Sequence, residues 1–140
     1  MRSARRVSPR NFLAGLSPDH FEVFRQLMTP VTYEDGQALF VQGEAARSAW
    51  FLDEGHVALS IRLPGGGVSP LASLGPGEVL GELALMTDTR RTASACAVGR
   101  VRALEVDRKD FQGMLAWFHP ASFAVMKRLC LLVAERLRET

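Results

Sequence analysis

Glycine most limits how this chain can fold. Ten of its twelve glycines lie between Gly36 and Gly99. The segments on either side keep helical spacing, whereas the middle is cut into short runs by turn residues. With 140 residues, the chain has length for one buried core and not for two.

Ser17-Pro18-Asp19 predicts the start of a first helix, with Ser17 as N-cap and Pro18 at the first helical position. Phe21, Phe24, Leu27 and Met28 recur behind it at helical spacing, and Pro30 is expected to close it. From Val31 to Val106 the runs are strand-length. Val31–Tyr33, Ala38–Val41, Ala49–Leu52, Val57–Leu63 and Leu71–Leu74 are separated by Gly36, Gly43, Asp53-Glu54-Gly55 and Pro64-Gly65-Gly66-Gly67. Thr92–Val98 and Val101–Val106 are expected to form a last pair around Gly99-Arg100. About eight short strands at this spacing predict a jelly roll or small barrel.

Helical sequence then resumes. Asp107 is expected to cap a short helix through Trp117, and Pro120 to open a long one ending near Arg138. The long helix carries two apolar stripes. Phe123, Met126, Cys130, Val133 and Leu137 are spaced as a coiled-coil seam, and Val125, Leu129 and Leu132 lie beside them. Either one stripe faces the barrel and the other a second subunit, or both form one broad face buried within the monomer.

Charge narrows the function classes. Lys and Arg number 17 against 15 Asp and Glu, and four of the arginines (Arg2, Arg5, Arg6, Arg10) lie in the first ten residues. Setting that leader aside leaves 13 basic groups against 15 acidic, a faintly acidic body that predicts no direct nucleic-acid binding. The longest apolar run, Leu129–Ala134, is far below the ~20 residues of a membrane span. No apolar signal core follows the early arginines, so a cytoplasmic setting is expected. Cys96 and Cys130 make neither a disulfide framework nor a metal set, and both read as core fillers. His20, His56 and His119 are too dispersed for a cupin-type metal site, and no nucleophile–base arrangement suggests an enzyme.

One segment departs from plain jelly roll: Gly81-Glu82-Leu83-Ala84-Leu85-Met86, then Arg90-Arg91-Thr92-Ala93-Ser94. A glycine opening a short helical run leaves backbone N–H groups that suit an anion, particularly phosphate. Arg91, nine residues beyond Glu82, is placed to fold back onto the same anion with a charge-assisted bond. Glu82 would repel phosphate, so its natural task is to accept a sugar hydroxyl while Arg91 offsets its charge. Thr92 adds a hydroxyl for phosphate or base. Phosphate and ribose together imply a nucleotide.

Gly81-Glu82-Leu83-Ala84-Leu85 followed by Arg91-Thr92-Ala93 resembles the phosphate-binding cassette of cyclic-nucleotide-binding domains. The Arg90-to-Ser94 end is most similar to that of cyclic-nucleotide-regulated channels. Gly36, Gly43-Glu44, Phe51 to Gly55 and Gly75-Pro76-Gly77-Glu78 match the family's turns, and the flanking helices match its helical subdomain. The resemblance implies an eight-stranded antiparallel jelly-roll barrel with an N-terminal helix, a short phosphate-binding helix and C-terminal helices, over residues 11–140 behind a basic leader at 1–10. It implies that Arg91 pairs with the cyclic phosphate and Glu82 accepts the ribose 2′-hydroxyl. Gly81, Leu83 and Ala84 would present backbone N–H groups, and Thr92 would touch phosphate or base. The last helix would be a lid and a homodimer contact.

Leu80 stands where many members have Phe, and Arg90 where many have Pro. Spacing assigns no base contact on the last helix. The expected ligand is cAMP or cGMP, with no cofactor or metal and no catalysis. An effector protein or a separate output domain would read the signal, the chain being either a stand-alone sensor or a regulatory fragment. The competing expectation is an interaction or dimerisation module that keeps the fold without the ligand.

Overall fold

A computed structural model describes residues 15–117 and 120–138. The basic leader, the first residues of the expected domain and His119 lie outside them. Helix α1 spans Pro18–Arg25, and the Ser17 side chain accepts a hydrogen bond from the His20 amide as the cap expectation requires. The helix is shorter than its apolar spacing implies, because the chain turns at Gln26 and β1 (Met28–Tyr33) begins. Pro30 therefore lies in a strand, opposite Leu104, and does not end the helix. It is tolerated there because β1 is an edge strand, where a missing N–H need not break a ladder.

The remaining strands are β2 (Ala38–Phe40), β3 (Ala45–Ala46), β4 (Ser48–Arg62), β5 (Val68–Leu74), β6 (Val79–Leu80), β7 (Thr89–Arg90) and β8 (Ser94–Asp107). They form an antiparallel sheet ordered β1-β8-β4-β5, with β2 on β8 and β6 on β4, and a separate β3-β7 ladder. The fold is thus mainly β, a jelly-roll type with flanking helices.

Two expected breaks do not break the strands. β4 runs through Asp53-Glu54-Gly55 and β8 through Gly99-Arg100 as continuous strands that pair from Ser48↔Asp107 to Ser60↔Ser94. Register shifts flank Glu54, so the glycines bend the long strands where turns were expected. Gly55 adopts φ +89°, and a Cβ there would stand 2.2 Å from the Arg100 carbonyl oxygen.

Helix α2 (Leu83–Met86) interrupts the strands, and α3 (Arg108–Ala116) and α4 (Pro120–Arg138) follow them. Asp107 caps α3 through the Lys109 amide. The core has two parts. Phe24, Phe51, Phe111, Val125, Leu129 and Leu132 pack between helices and sheet, while Phe40, Trp50, Leu52, Val57 and Val101 fill the sheet interior. Of the two stripes on α4, the one through Val125, Leu129 and Leu132 is the buried one. The other stays outward at its ends, with Phe123 69% and Leu137 70% exposed. Cys130 lies on this outer stripe and is exposed, and Cys96 is only half-buried, so neither is a fully buried core filler. The cause is helical phase: Cys130 follows buried Leu129 by one residue and faces away from it.

Among the described residues no helix is long and apolar enough to cross a membrane.

Candidate functional site

All six residues singled out from the sequence border one cavity of about 470 Å³. That volume lies within the ~300–1,000 Å³ typical of small-molecule sites. Gly81, Glu82, Leu83 and Ala84 come from the end of β6 and the start of α2. Arg91 and Thr92 return along the segment between β7 and β8. The lining also includes carbon surface from Leu59 on β4 and Ala72 and Leu74 on β5.

The return segment is held at both sides of Arg91. Its amide donates to the Glu44 carbonyl at 2.7 Å, and its carbonyl accepts from the Gly43 amide at 2.8 Å. These bonds aim the side chain inward, where the residue is only 8% exposed. The guanidinium donates through one terminal nitrogen to the Ser48 carbonyl at 2.8 Å, while its Nε has no hydrogen-bond partner. No ion pair among the described residues includes it. Burial pulls the Arg91 pKa below its ordinary value, against which the more distant Glu44 and Glu105 carboxylates act. Arginine nevertheless remains a cation. A buried cation so sparsely bonded at the wall of a cavity has the chemistry to receive an anion.

Gly81 makes this approach sterically admissible. At φ +77° it occupies a conformation that favours glycine, and a Cβ there would lie 2.7 Å from an Arg91 guanidinium nitrogen. The Ala84 amide donates to the Gly81 carbonyl and the Leu85 amide to Glu82, both at 3.1 Å, closing a tight turn. Ala84 thus uses its N–H within the turn. Arg90 borders the cavity too, but from an exposed position, and its guanidinium donates to the Gly43 carbonyl at 2.9 Å.

Glu82 is 7% exposed, yet Arg91 is not the residue that offsets its charge. Arg136 of α4 does so, forming an ion pair with the Glu82 carboxylate and donating to the Val79 carbonyl at 2.6 Å. Arg136 borders the cavity as well, so the last helix contributes a cation to it. Spacing did not reveal this residue, because a basic side chain in a last helical turn is ordinary dipole complementarity. Phe40 and Trp50 were also missed. Both read as strand core residues, and both have ring faces beneath the Arg91 guanidinium, 4.3 and 5.1 Å from centroid to carbon.

The arrangement offers a buried cation, a carboxylate 54 residues away in sequence from its arginine partner, an exposed threonine and an apolar wall. Chemically it suits an anionic group joined to a hydroxylated and then an apolar ring. Among the described residues no cluster of three or more His, Cys, Asp or Glu could hold a metal ion.

The family model of the cyclic nucleotide-binding domain matches residues 30–116, which takes in every cavity-lining residue except Arg136. The chain belongs to this family. This cyclic nucleotide-binding domain is 32% identical over 125 residues to the Cyclic AMP receptor protein of Thermus thermophilus, covering 89% of this chain and 56% of that protein. It is 34% identical over 131 residues to Glutaminase 1 of Bradyrhizobium diazoefficiens, covering 94% of this chain and 21% of that one. Among solved structures it resembles the N-terminal domain of a transcriptional regulator from Streptomyces coelicolor A3(2). The two share 32% identity and a TM-score of 0.79, over 94% of this chain and 90% of that one. The domain spans about half the length of the cyclic AMP receptor relative it matches.

Proposed function

We propose that the domain binds a cyclic nucleotide, cAMP or cGMP, and acts as a non-catalytic sensor. The observation that carries this reading is the buried Arg91 cation, without a carboxylate partner among the described residues, at the wall of a nucleotide-sized cavity. In this reading the cyclic phosphate is its counter-ion. Thr92 donates to the phosphate or the base, Gly81 and Leu83 present backbone N–H groups while that of Ala84 is taken up by the Gly81 carbonyl, and Glu82 accepts the ribose 2′-hydroxyl. The apolar wall of Leu59, Ala72 and Leu74 receives the base. The Thermus relative carries cyclic AMP in its name, which makes cAMP the first ligand to test.

Signalling is proposed to pass through α4. Arg136 and a ribose hydroxyl address the same Glu82 carboxylate, so occupation of the pocket bears directly on how the end of α4 is held. The outward stripe from Phe123 to Leu137 supports a homodimer contact along the same helix. We infer further that the two sheets close into the expected eight-stranded barrel and that the domain works in the cytoplasm, on an effector protein or an attached output domain.

The test is thermal unfolding with each nucleotide. At ligand one hundredfold above Kd the native state should gain ~2.7 kcal/mol, read as a rise in Tm. No rise with either nucleotide would leave the exposed stripe on α4 as the remaining guide and favour a dimerisation module. Glu82→Gln should weaken binding of the ribosyl ligand more than of its 2′-deoxy analogue, which lacks the hydroxyl. Equal losses in calorimetry would remove Glu82 from the ribose site.

A further inference from the structure

A buried cation without a carboxylate beside it needs some other stabilisation, and around Arg91 it comes from the Ser48 carbonyl and from two aromatic rings. Its guanidinium carbon lies 4.3 Å from the Phe40 ring centroid and 5.1 Å from that of Trp50. The two rings adjoin each other, with centroids 5.6 Å apart and planes tilted by 33°. They present neighbouring π faces to one cation. Trp50 is itself held in place, since its indole N–H donates to the Tyr33 hydroxyl at 3.1 Å. Phe40 and Trp50 belong to the sheet-interior core, and Phe40 also borders the cavity.

We propose that Phe40 and Trp50 are positioning residues of the anion site, their ring faces taking the place of a carboxylate counter-ion for Arg91. The inference rests on the reading of the cavity as a cyclic-nucleotide site. A carboxylate beside Arg91 would stabilise the cation but also neutralise it and compete with an incoming phosphate. Aromatic faces stabilise the cation through their quadrupole without carrying net charge. The guanidinium therefore keeps its full charge for a ligand. Tyr33 serves in the layer behind, fixing the indole that faces the arginine.

The test uses the full 140-residue chain with Trp117→Phe, which leaves Trp50 as its one tryptophan. Without any ligand, Arg91→Leu in this background should change the Trp50 emission, because a cation leaves its ring face. Unchanged emission would overturn the contact. Calorimetric titration with cAMP and with cGMP supplies the second readout. Phe40→Leu and Trp50→Leu should each weaken binding roughly ten- to thirtyfold, the value of a desolvated cation–π contact, while Trp50→Phe keeps affinity within about threefold. Should Trp50→Leu fail to fold, the emission readout decides, because Phe40 also borders the cavity and its loss alone could reflect a direct ligand contact. Leucine variants that bind as tightly as the parent would overturn the platform and leave the nucleotide reading intact. An equal loss in Trp50→Phe and Trp50→Leu would also overturn it, since shape alone would then explain both. A parent chain that binds neither nucleotide would overturn the functional reading, and the platform's role with it.

Discussion

Arg91→Ala is expected to weaken cyclic-nucleotide binding by roughly ten- to a hundredfold, the equivalent of one charge-assisted hydrogen bond of ~1.5–3 kcal/mol. The neighbouring residue provides the control. Arg90→Ala removes the same charge one position earlier, from an exposed side chain at the cavity's border that donates to the Gly43 carbonyl. Its cost should be about twofold, in line with a solvent-exposed hydrogen bond of ~0.5 kcal/mol. The contrast separates a site effect from a loss of general electrostatic attraction, because both variants change net charge equally. Calorimetry that found the two substitutions equivalent would move the anion site away from Arg91. The fold itself should survive Arg91→Ala, since the change also removes a desolvated cation from the interior.

Gly55→Ala should be the most damaging single methyl group in the sheet. Gly55 sits within β4 at φ +89°, and the added Cβ would meet the Arg100 carbonyl oxygen at 2.2 Å and the Val101 Cα at 3.0 Å. Both obstacles are backbone of the paired strand, so neither can swing aside. The left-handed conformation alone costs about 1–2 kcal/mol for a residue with a Cβ. Parting the β4–β8 ladder raises the total to about 3–5 kcal/mol, in the range that marks a specific steric cause. A drop in Tm of about 10 °C or more is expected for a domain of this size. Gly65→Ala, where a Cβ would meet nothing within 4 Å, should stay within ~0.5 kcal/mol of the parent. If denaturant unfolding gave equal losses for the two, the bend at Gly55 would not be the constraint described here.

Local chemistry was legible in the sequence wherever a residue acts through its immediate neighbours. Ser17, Asp107 and Pro120 mark helix starts because capping and the proline ring are local effects. The residues from Gly81 to Ala84 and Arg91-Thr92 were legible for a related reason: their spacing in one short segment nearly determines that they meet. Features that depend on a distant partner were not. Pro30 reads as a helix stop until it is known to lie on an edge strand against Leu104. Asp53-Glu54-Gly55 and Gly99-Arg100 read as turns, yet each is spanned by a strand because the facing strand bends with it. Arg136 lies far along the chain from Glu82, and nothing in its helical neighbours distinguishes it from Arg138. Cys130 and Leu129 look alike in composition and part only when the helix acquires an inside and an outside.

The pairing of β4 with β8 bears on how the chain reaches its native state. Even the inner end of that ladder, Ser60 against Ser94, closes a loop holding β5, β6, α2 and β7, and its outer end, Ser48 against Asp107, encloses most of the chain between the first and third helices. Closing it costs chain entropy that only non-local contacts repay, which places the domain among folds of high contact order that form in milliseconds to seconds. Arg91 reaches its bond partner on one of those strands and its aromatic support on the same strand and on β2. The surroundings of Arg91, drawn from β2, β4 and the segment before β8, cannot precede that closure, so the cavity takes shape only as the central ladder does.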